Sequence, residues 1–352
     1  MNVGIFLPNW LGDLVMATPT LRALRRHFGP EVRIAGIVRP YLADVLAGTG
    51  WLDELWPFDP RAGQPELRRW ALIRRMRRQR LDVVLLLTNS LHTAVLAWLG
   101  GAKERIGYVR YGRGPLLTKK LYLPREHSRR AGSPMVDYYL KLADLIGCPP
   151  ESPRLELATT EADERSARRV WESLGLRADG RVVLLNSSGA YGPSKWWPTG
   201  HFALLARRLA AELDHDAVMM CGPAEREMAR EVVRLAGHPR VFSMADQPLD
   251  FGTTKACIRR GRLMVSTDSG PRHIAAALGK PLVTLYGAML PVWGENPTVH
   301  SVDLCLDLPC IGCHNRDCPL GHHQCMEDLT VDMVYAAVAK LVDGGRALRD
   351  VA

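Results

Sequence analysis

Residues 2–38 read NVGIFLPNWLGDLVMATPTLRALRRHFGPEVRIAGIV. The apolar run at 2–7 is a strand, residues 8–12 form a loop, residues 14–28 carry a helical period, and residues 32–38 return to strand. A strand, a helix and a second strand at this spacing make a βαβ unit, whose strands run parallel. Further apolar runs at 82–87, 181–187, 217–221, 263–266 and 281–285 alternate with segments of helical period. The pattern predicts an α/β chain of doubly wound parallel sheets, in which the carboxyl ends of the strands carry the chemistry.

The stretch 148–160, CPPESPRLELATT, places three prolines after a helical segment at 136–146, and a new αβ series begins beyond it. Prolines at this density mark a linker. The reading is a first Rossmann-like domain over 1–155, a second over 156–329, and a terminal helix over 330–352 with Thr330 as its N-cap.

The 352 residues contain 47% apolar and 24% charged side chains, the composition of a folded globular protein rather than a disordered or fibrous one. Lys and Arg number 46 against 37 Asp and Glu, a formal charge of +9, which favours an anionic partner. No run reaches the roughly 18 apolar residues of a spanning helix, and the opening residues lack a signal peptide's basic and apolar regions. The expected location is cytoplasmic. Eight cysteines are too few for a disulfide scaffold.

Four strand-end segments could carry chemistry. In Asn9-Trp10-Leu11-Gly12-Asp13, Gly12 permits a tight turn and Asp13 stands where the first helix begins. Position alone favours Asp13 as the helix cap, and the sharper alternative is a general base. The segment from Asn186 to Pro198, NSSGAYGPSKWWP, offers backbone N–H groups, hydroxyls and the Lys195 cation, a set suited to phosphate although not a Walker loop; a plain turn fits equally well. In residues 265–278, VSTDSGPRHIAAAL, Pro271 fits a first helical turn, Asp268 or Ser269 could cap, and His273 shares the same opening. Glu225, after Cys221-Gly222-Pro223-Ala224, is read first as a helix-entry carboxylate.

Taken together, NWLGD, the Ser-Ser-Gly-Ala-x-Gly-Pro-x-Lys-x-Trp-Pro segment and the Ser-Thr-Asp-Ser-Gly-x-x-His run through Leu-Tyr-Gly resemble the ADP-heptose:lipopolysaccharide heptosyltransferases of glycosyltransferase family 9. The first motif and Asn89-Ser90 look most like the heptosyltransferase II branch. The resemblance implies a GT-B fold, two Rossmann-like domains facing a central cleft, with the last helix crossing back to the first domain. It implies inverting, metal-independent transfer of heptose from ADP-heptose to the lipopolysaccharide inner core. Asp13 matches the family's general base. Ser187, Ser188 and Lys195 match its diphosphate positions, with Lys195 also stabilising the leaving group. Glu225 matches a nucleoside contact, and Asp268, Ser269, Gly270 and His273 match the donor loop. On the acceptor side the matched residues are Asn9, Gly12, Asn89 and Ser90. Two departures stand out: Asn186-Ser187-Ser188 replaces a Cys-Pro-Gly or a Thr pair, and Pro271-Arg272 replaces an apolar pair.

Other readings compete. The same fold could serve another nucleotide sugar and another surface glycan, or a nucleotide-sugar-binding protein without transfer activity. A dinucleotide-dependent oxidoreductase is disfavoured because the first strand-to-helix turn lacks GxGxxG. Residues 66–81, ELRRWALIRRMRRQRL, contain seven arginines, with Leu67, Trp70, Ile73 and Met76 three apart. Such a helix either lies on an anionic inner-leaflet surface or turns its apolar side to the core. The arginines are not interleaved with stacking aromatics, which argues against nucleic acid. Finally, Cys310, Cys313, Cys318 and Cys325, with Cys305, His314, His322 and His323 nearby, suggest either a structural zinc site or plain thiols.

Overall fold

The apolar runs are strands of two separate six-stranded sheets, each wholly parallel. The computed structural model describes residues 1–123, 132–187 and 191–347, the last five as backbone only. The first unit spans Met1–Ala158 together with Gly294–Asn296, and the second spans Thr159–Trp293 and the chain from Pro297 onward.

In chain order the first unit contains β1 (Asn2–Phe6), α1 (Leu11–Met16), α2 (Thr18–Phe28), β2 (Arg33–Val38), β3 (Glu54–Pro57), α3 (Arg69–Gln79), β4 (Val83–Leu86), α4 (Leu91–Leu99), β5 (Glu104–Tyr108), β6 (Lys119–Leu121) and α5 (Met135–Ile146). The sheet order is β3-β2-β1-β4-β5-β6. Every residue of β4 is buried, as expected for a strand covered by helices on both faces. The single helix read over 14–28 is two helices. Pro19 sits in the first turn of α2, where it lacks an N–H to give to Val15 and its ring would clash with that carbonyl. The Val15 carbonyl instead accepts from the Thr18 hydroxyl at 2.7 Å.

The second unit contains α6 (Glu161–Leu174), β7 (Val182–Asn186), α7 (Thr199–Glu212), β8 (Asp216–Met220), α8 (Arg226–Ala236), β9 (Val241–Ser243), α9 (Phe251–Arg260), β10 (Leu263–Thr267), α10 (Gly270–Ala277), β11 (Leu282–Tyr286), β12 (Ser301–Cys305), α11 (Gln324–Glu327) and α12 (Val331–Ala347). Its sheet order, β9-β8-β7-β10-β11-β12, repeats that of the first. A capping box opens the unit: Thr160 Oγ1 accepts from the Asp163 N–H at 3.2 Å, and Asp163 Oδ2 accepts from the Thr160 N–H at 2.9 Å.

The described part of the terminal helix belongs to the second unit. Thr330 does cap it, accepting from the Met333 N–H at 3.3 Å. Val331, Val334, Val338, Leu341 and Val342 pack in the core of the second unit, beside Phe202, Leu205 and Leu285. The segment that joins the first unit from late in the chain is Gly294–Asn296, where Asn296 Nδ2 donates to Pro153 O at 2.8 Å.

Candidate active site

In a doubly wound sheet the winding reverses between two central strands, and the loops that diverge there leave a crevice at the strand ends. The reversals lie between β1 and β4 in the first sheet and between β7 and β10 in the second. Asn9 to Asp13 follow β1 and Asn89-Ser90 follow β4. Ser187 to Lys195 follow β7, and Asp268 to His273 follow β10. The topology therefore gathers the sequence-derived candidates into one set per unit.

In the first unit α1 begins at Leu11, with Trp10 in the N-cap position, so Gly12 and Asp13 are already helical. Asp13 is thus a first-turn residue and not the cap. Its Oδ1 accepts from the Tyr139 hydroxyl at 3.1 Å. Burial, reinforced by the neighbouring Asp13 carboxylate, raises the Tyr139 phenol well above its ordinary range, so this donor keeps its proton at physiological pH. Asn9 is held from two sides: Arg39 Nε donates to its Oδ1 at 3.1 Å, and the Tyr41 hydroxyl donates to its carbonyl.

Asn89 Oδ1 accepts from Arg113 at 3.0 Å and from the Tyr138 hydroxyl at 2.9 Å. Arg113 is fully buried and also donates to the carbonyls of Tyr108, at 2.8 Å, and Thr88. Burial lowers its pKa to about 10, which still leaves it charged at neutral pH. Ser90 has a structural task, because its Oγ accepts from the His92 N–H at 3.1 Å and caps α4.

In the second unit Lys195 Nζ donates to Asp268 Oδ2 at 2.6 Å and to the Asp268 carbonyl at 3.0 Å, and lies 4.8 Å from the Tyr191 ring centroid. The other carboxylate oxygen accepts from Arg272 Nε at 2.9 Å. Burial would raise the Asp268 pKa, but Arg272 and Lys195 outweigh it and hold the carboxyl well below the usual range. Asn186 Nδ2 donates to Ser266 Oγ at 2.9 Å and Ser269 Oγ at 2.8 Å, tying the ends of β7 and β10 together. Ser269 occupies the N-cap position of α10 without a side-chain cap bond, and Gly270 is the first helical residue. Ser187 is buried and, among the described residues, makes a long contact, 3.5 Å, to Trp197 O. Ser188 lies outside the described residues. Glu225 closes the short 3-10 turn Pro223–Glu225 that precedes α8, its Oε2 accepting from the Gly222 N–H at 2.6 Å.

Residues 69–324 match the model of glycosyltransferase family 9 (heptosyltransferase). The chain belongs to this family. A lipooligosaccharide heptosyltransferase 2 from Haemophilus ducreyi is 27% identical over 97% of this chain and 99% of its own length. The lipopolysaccharide heptosyltransferase 2 of Escherichia coli is 26% identical over the same shares. Among solved structures, an E. coli ADP-heptose lps heptosyltransferase II aligns with a TM-score of 0.78 at 22% identity, covering 98% of this chain and 100% of that one. A family 9 glycosyltransferase from Veillonella parvula gives 0.74 at 26% identity, over 86% and 85%. The fold is GT-B, and the protein is a glycosyltransferase.

Reading this family 9 transferase by sequence missed Arg272, Arg113, Tyr138 and Tyr139. Arg272 was visible as a departure, a cation where the family carries an apolar residue, but its Asp268 partner is one helical turn back and the pairing needed the fold. Tyr139 and Asp13 are 126 residues apart, beyond any local pattern.

The cysteine-rich segment packs beside the loop that carries Lys195. Among the described residues no group of three or more His, Cys, Asp or Glu side chains is arranged to hold a metal, and Cys305, Cys310, Cys313, Cys318 and Cys325 are free thiols. Burial and the three nearby thiols raise Cys325 to about 11, so it is protonated. What the segment does is brace the Lys195 loop. The Ser194 N–H donates to Arg316 O at 3.0 Å, Ser194 Oγ to Asn315 O at 2.6 Å, and His323 Nε2 to Ser194 O at 3.1 Å. Gly192 is required at the crossing, with φ of 155° and Arg316 O only 2.5 Å from where a Cβ would stand.

The buried loop after β10 couples folding to pH. Burial, then the Arg272 charge, hold His273 well below its ordinary pKa, so it is neutral when folded. The unfolded chain binds that proton below about pH 6.5, so stability is full above this value and declines as pH falls, by up to about 1.4 kcal/mol per unit. Asp268, also depressed, adds a second loss below about pH 4. Thermal melts between pH 7.5 and 5 should show a falling midpoint whose slope is reduced in His273→Asn.

Proposed function

We propose that this transferase moves heptose from ADP-heptose to the inner core of lipopolysaccharide, with inversion at the anomeric carbon and without a metal ion. The observation that carries the reading is the buried Lys195–Asp268–Arg272 triad beside the N-terminus of α10, a site with one surplus positive charge. Such a site suits a diphosphate whose negative charge grows as the sugar leaves. The names of the heptosyltransferase 2 relatives supply the sugar and the acceptor class.

In this reading the acceptor hydroxyl attacks the anomeric carbon opposite the ADP. The carbon–oxygen bond to the acceptor forms as the bond to the phosphate oxygen breaks, the electron pair leaves with ADP, and the hydroxyl proton passes to Asp13. Tyr139 keeps Asp13 oriented, while Asn9, Gly12, Asn89 and Ser90 form the acceptor side of the first domain. Lys195, Ser187, Ser188 and the first-turn N–H groups of α10 receive the diphosphate. Asp268, Ser269, Gly270 and His273 face the donor sugar, and Glu225 the nucleoside. Arg272 keeps the Asp268 carboxylate neutralised when Lys195 turns to phosphate. The work is done in the cytoplasm, at the inner membrane face.

The test offers ADP-heptose, ADP-glucose, UDP-glucose and GDP-mannose with a lipid A acceptor bearing inner-core sugars, in excess EDTA. Undiminished heptose transfer with an inverted anomeric signal by NMR is the expected result. Preference for another nucleotide sugar would move the donor assignment, and binding without turnover of any donor would make the chain a binding protein.

A further inference from the structure

The positive charge of the molecule belongs to one unit. The first unit, residues 1–158 and 294–296, contains 24 Lys and Arg against 15 Asp and Glu, whereas the rest of the chain contains 22 against 22. The densest part is α3, which lies beside α4: Arg69 Nε donates to His92 Nε2 at 2.8 Å near one end, and Arg77 Nε to Leu99 O at 2.8 Å near the other.

The three-residue spacing on α3 does not act as one stripe. Leu72, Ile73 and Met76 are buried in the core, while Trp70 is 70% exposed and shares the outer face with Arg74, Arg77 and Arg78. Among the described residues no carboxylate pairs with these three arginines. Beside them, α4 has no Lys, Arg, Asp or Glu at all, and its outer positions are Leu91, 45% exposed, half-buried Val95 and Trp98, 54% exposed. Leu91, Trp98 and Trp70 therefore form an exposed apolar patch rimmed by arginines that have no carboxylate partner among the described residues, the make-up of an interaction surface.

We propose that the outer surface of α3 and α4 docks on an anionic lipid bilayer, with Trp70 and Trp98 at the headgroup level and Arg74, Arg77 and Arg78 on lipid phosphates. Indole rings partition to the membrane interface because one edge is apolar and the N–H is polar. Guanidinium groups bind phosphate through paired N–H donors. The two kinds of side chain alternate here as they do on helices that lie in a bilayer surface. No helix among the described residues is long and apolar enough to cross a membrane, so the attachment is peripheral and reversible. The inference stands apart from the choice of donor sugar.

The experiment is vesicle co-sedimentation of the full chain, using phosphatidylcholine alone or with about one third phosphatidylglycerol, at low and at roughly 0.5 M salt. Wild type should bind the anionic vesicles at least about tenfold more tightly than the neutral ones, and lose most of that binding in high salt. Arg74→Glu with Arg78→Glu should abolish the preference for anionic lipid. Trp70→Ala with Trp98→Ala should weaken binding about tenfold and remove the blue shift of tryptophan emission on vesicles. Both variants should melt normally and bind ADP as wild type does, which separates surface loss from misfolding. Equal binding to neutral and anionic vesicles, or undiminished binding by both variants, would overturn the proposal. So would binding of single-stranded nucleic acid without vesicle binding, or a wild-type dimer that the tryptophan substitutions dissociate with no effect on lipid.

Discussion

Asp13→Asn should lower kcat by roughly 10²–10⁴-fold at saturating substrates, the usual contribution of a positioned general base. The substitution keeps the side chain's shape and an oxygen that can accept from Tyr139, so α1 and its packing should survive. What it removes is the group that takes the acceptor proton in the proposed mechanism. Donor affinity, measured by titration with ADP, should be unchanged, because the diphosphate-binding candidates lie in the second unit. The acid limb of the kcat profile should vanish with the carboxylate. Tyr139→Phe supplies the contrast: it deletes only an orienting hydrogen bond and should cost about tenfold or less while the acid limb persists. A fall in ADP affinity and melting temperature together, with turnover proportional to folded enzyme, would make Asp13 a structural residue of the first turn.

The second large effect separates the two cations on Asp268. Lys195→Ala removes a cation that can reach phosphate, and kcat should fall by about 10²–10³-fold with a marked loss of ADP affinity. Stability should also fall, because Lys195 is one of the two buried cations on Asp268 and Arg272 alone then holds the carboxylate. Arg272→Leu should behave differently. Asp268 then depends on Lys195 alone, and breaking one side of a buried ionic cluster typically costs about 3–5 kcal/mol. Lys195 becomes committed to Asp268, so the donor KM should rise more than kcat falls. The double variant strands the carboxylate and should fold poorly. Melting curves and steady-state kinetics on the three variants check this. If Arg272→Leu bound the donor and melted as wild type does, the division of labour would be wrong.

The central strands were legible because they are buried on both faces and therefore apolar throughout: β4 is VVLL and β7 begins VVLL. The strands toward the edges were not. β6 is KKL, β3 ends at Pro57, β9 has three residues, and β5 carries Glu104 and Arg105, so none shows a sustained apolar run. Edge strands tolerate Pro and charge because one side is unpaired, and this erases their signature. The candidate site was legible where it follows those central strands, since strand, polar turn and helix in succession identify a crevice. Arg113 escaped notice because its partners are carbonyls supplied by two different strand ends, and carbonyls carry no sequence identity. The bracing by the cysteine segment was illegible for the same reason, since Asn315 and Arg316 act through their backbone carbonyls.

That bracing sets an order of assembly. The Lys195 loop is anchored by Asn315, Arg316 and His323, and the indole N–H of Trp197 donates to Leu329 O at 2.7 Å. A chain growing on the ribosome can finish its first sheet once about half its length has emerged, and domains generally fold as units during synthesis. The Lys195 loop acquires its anchors only when nearly the entire polypeptide is out. A chain ending between the first sheet and residue 315 would therefore carry an intact first sheet and an unanchored Lys195 loop, and under the proposed function it should not compete with the finished enzyme for nucleotide sugar.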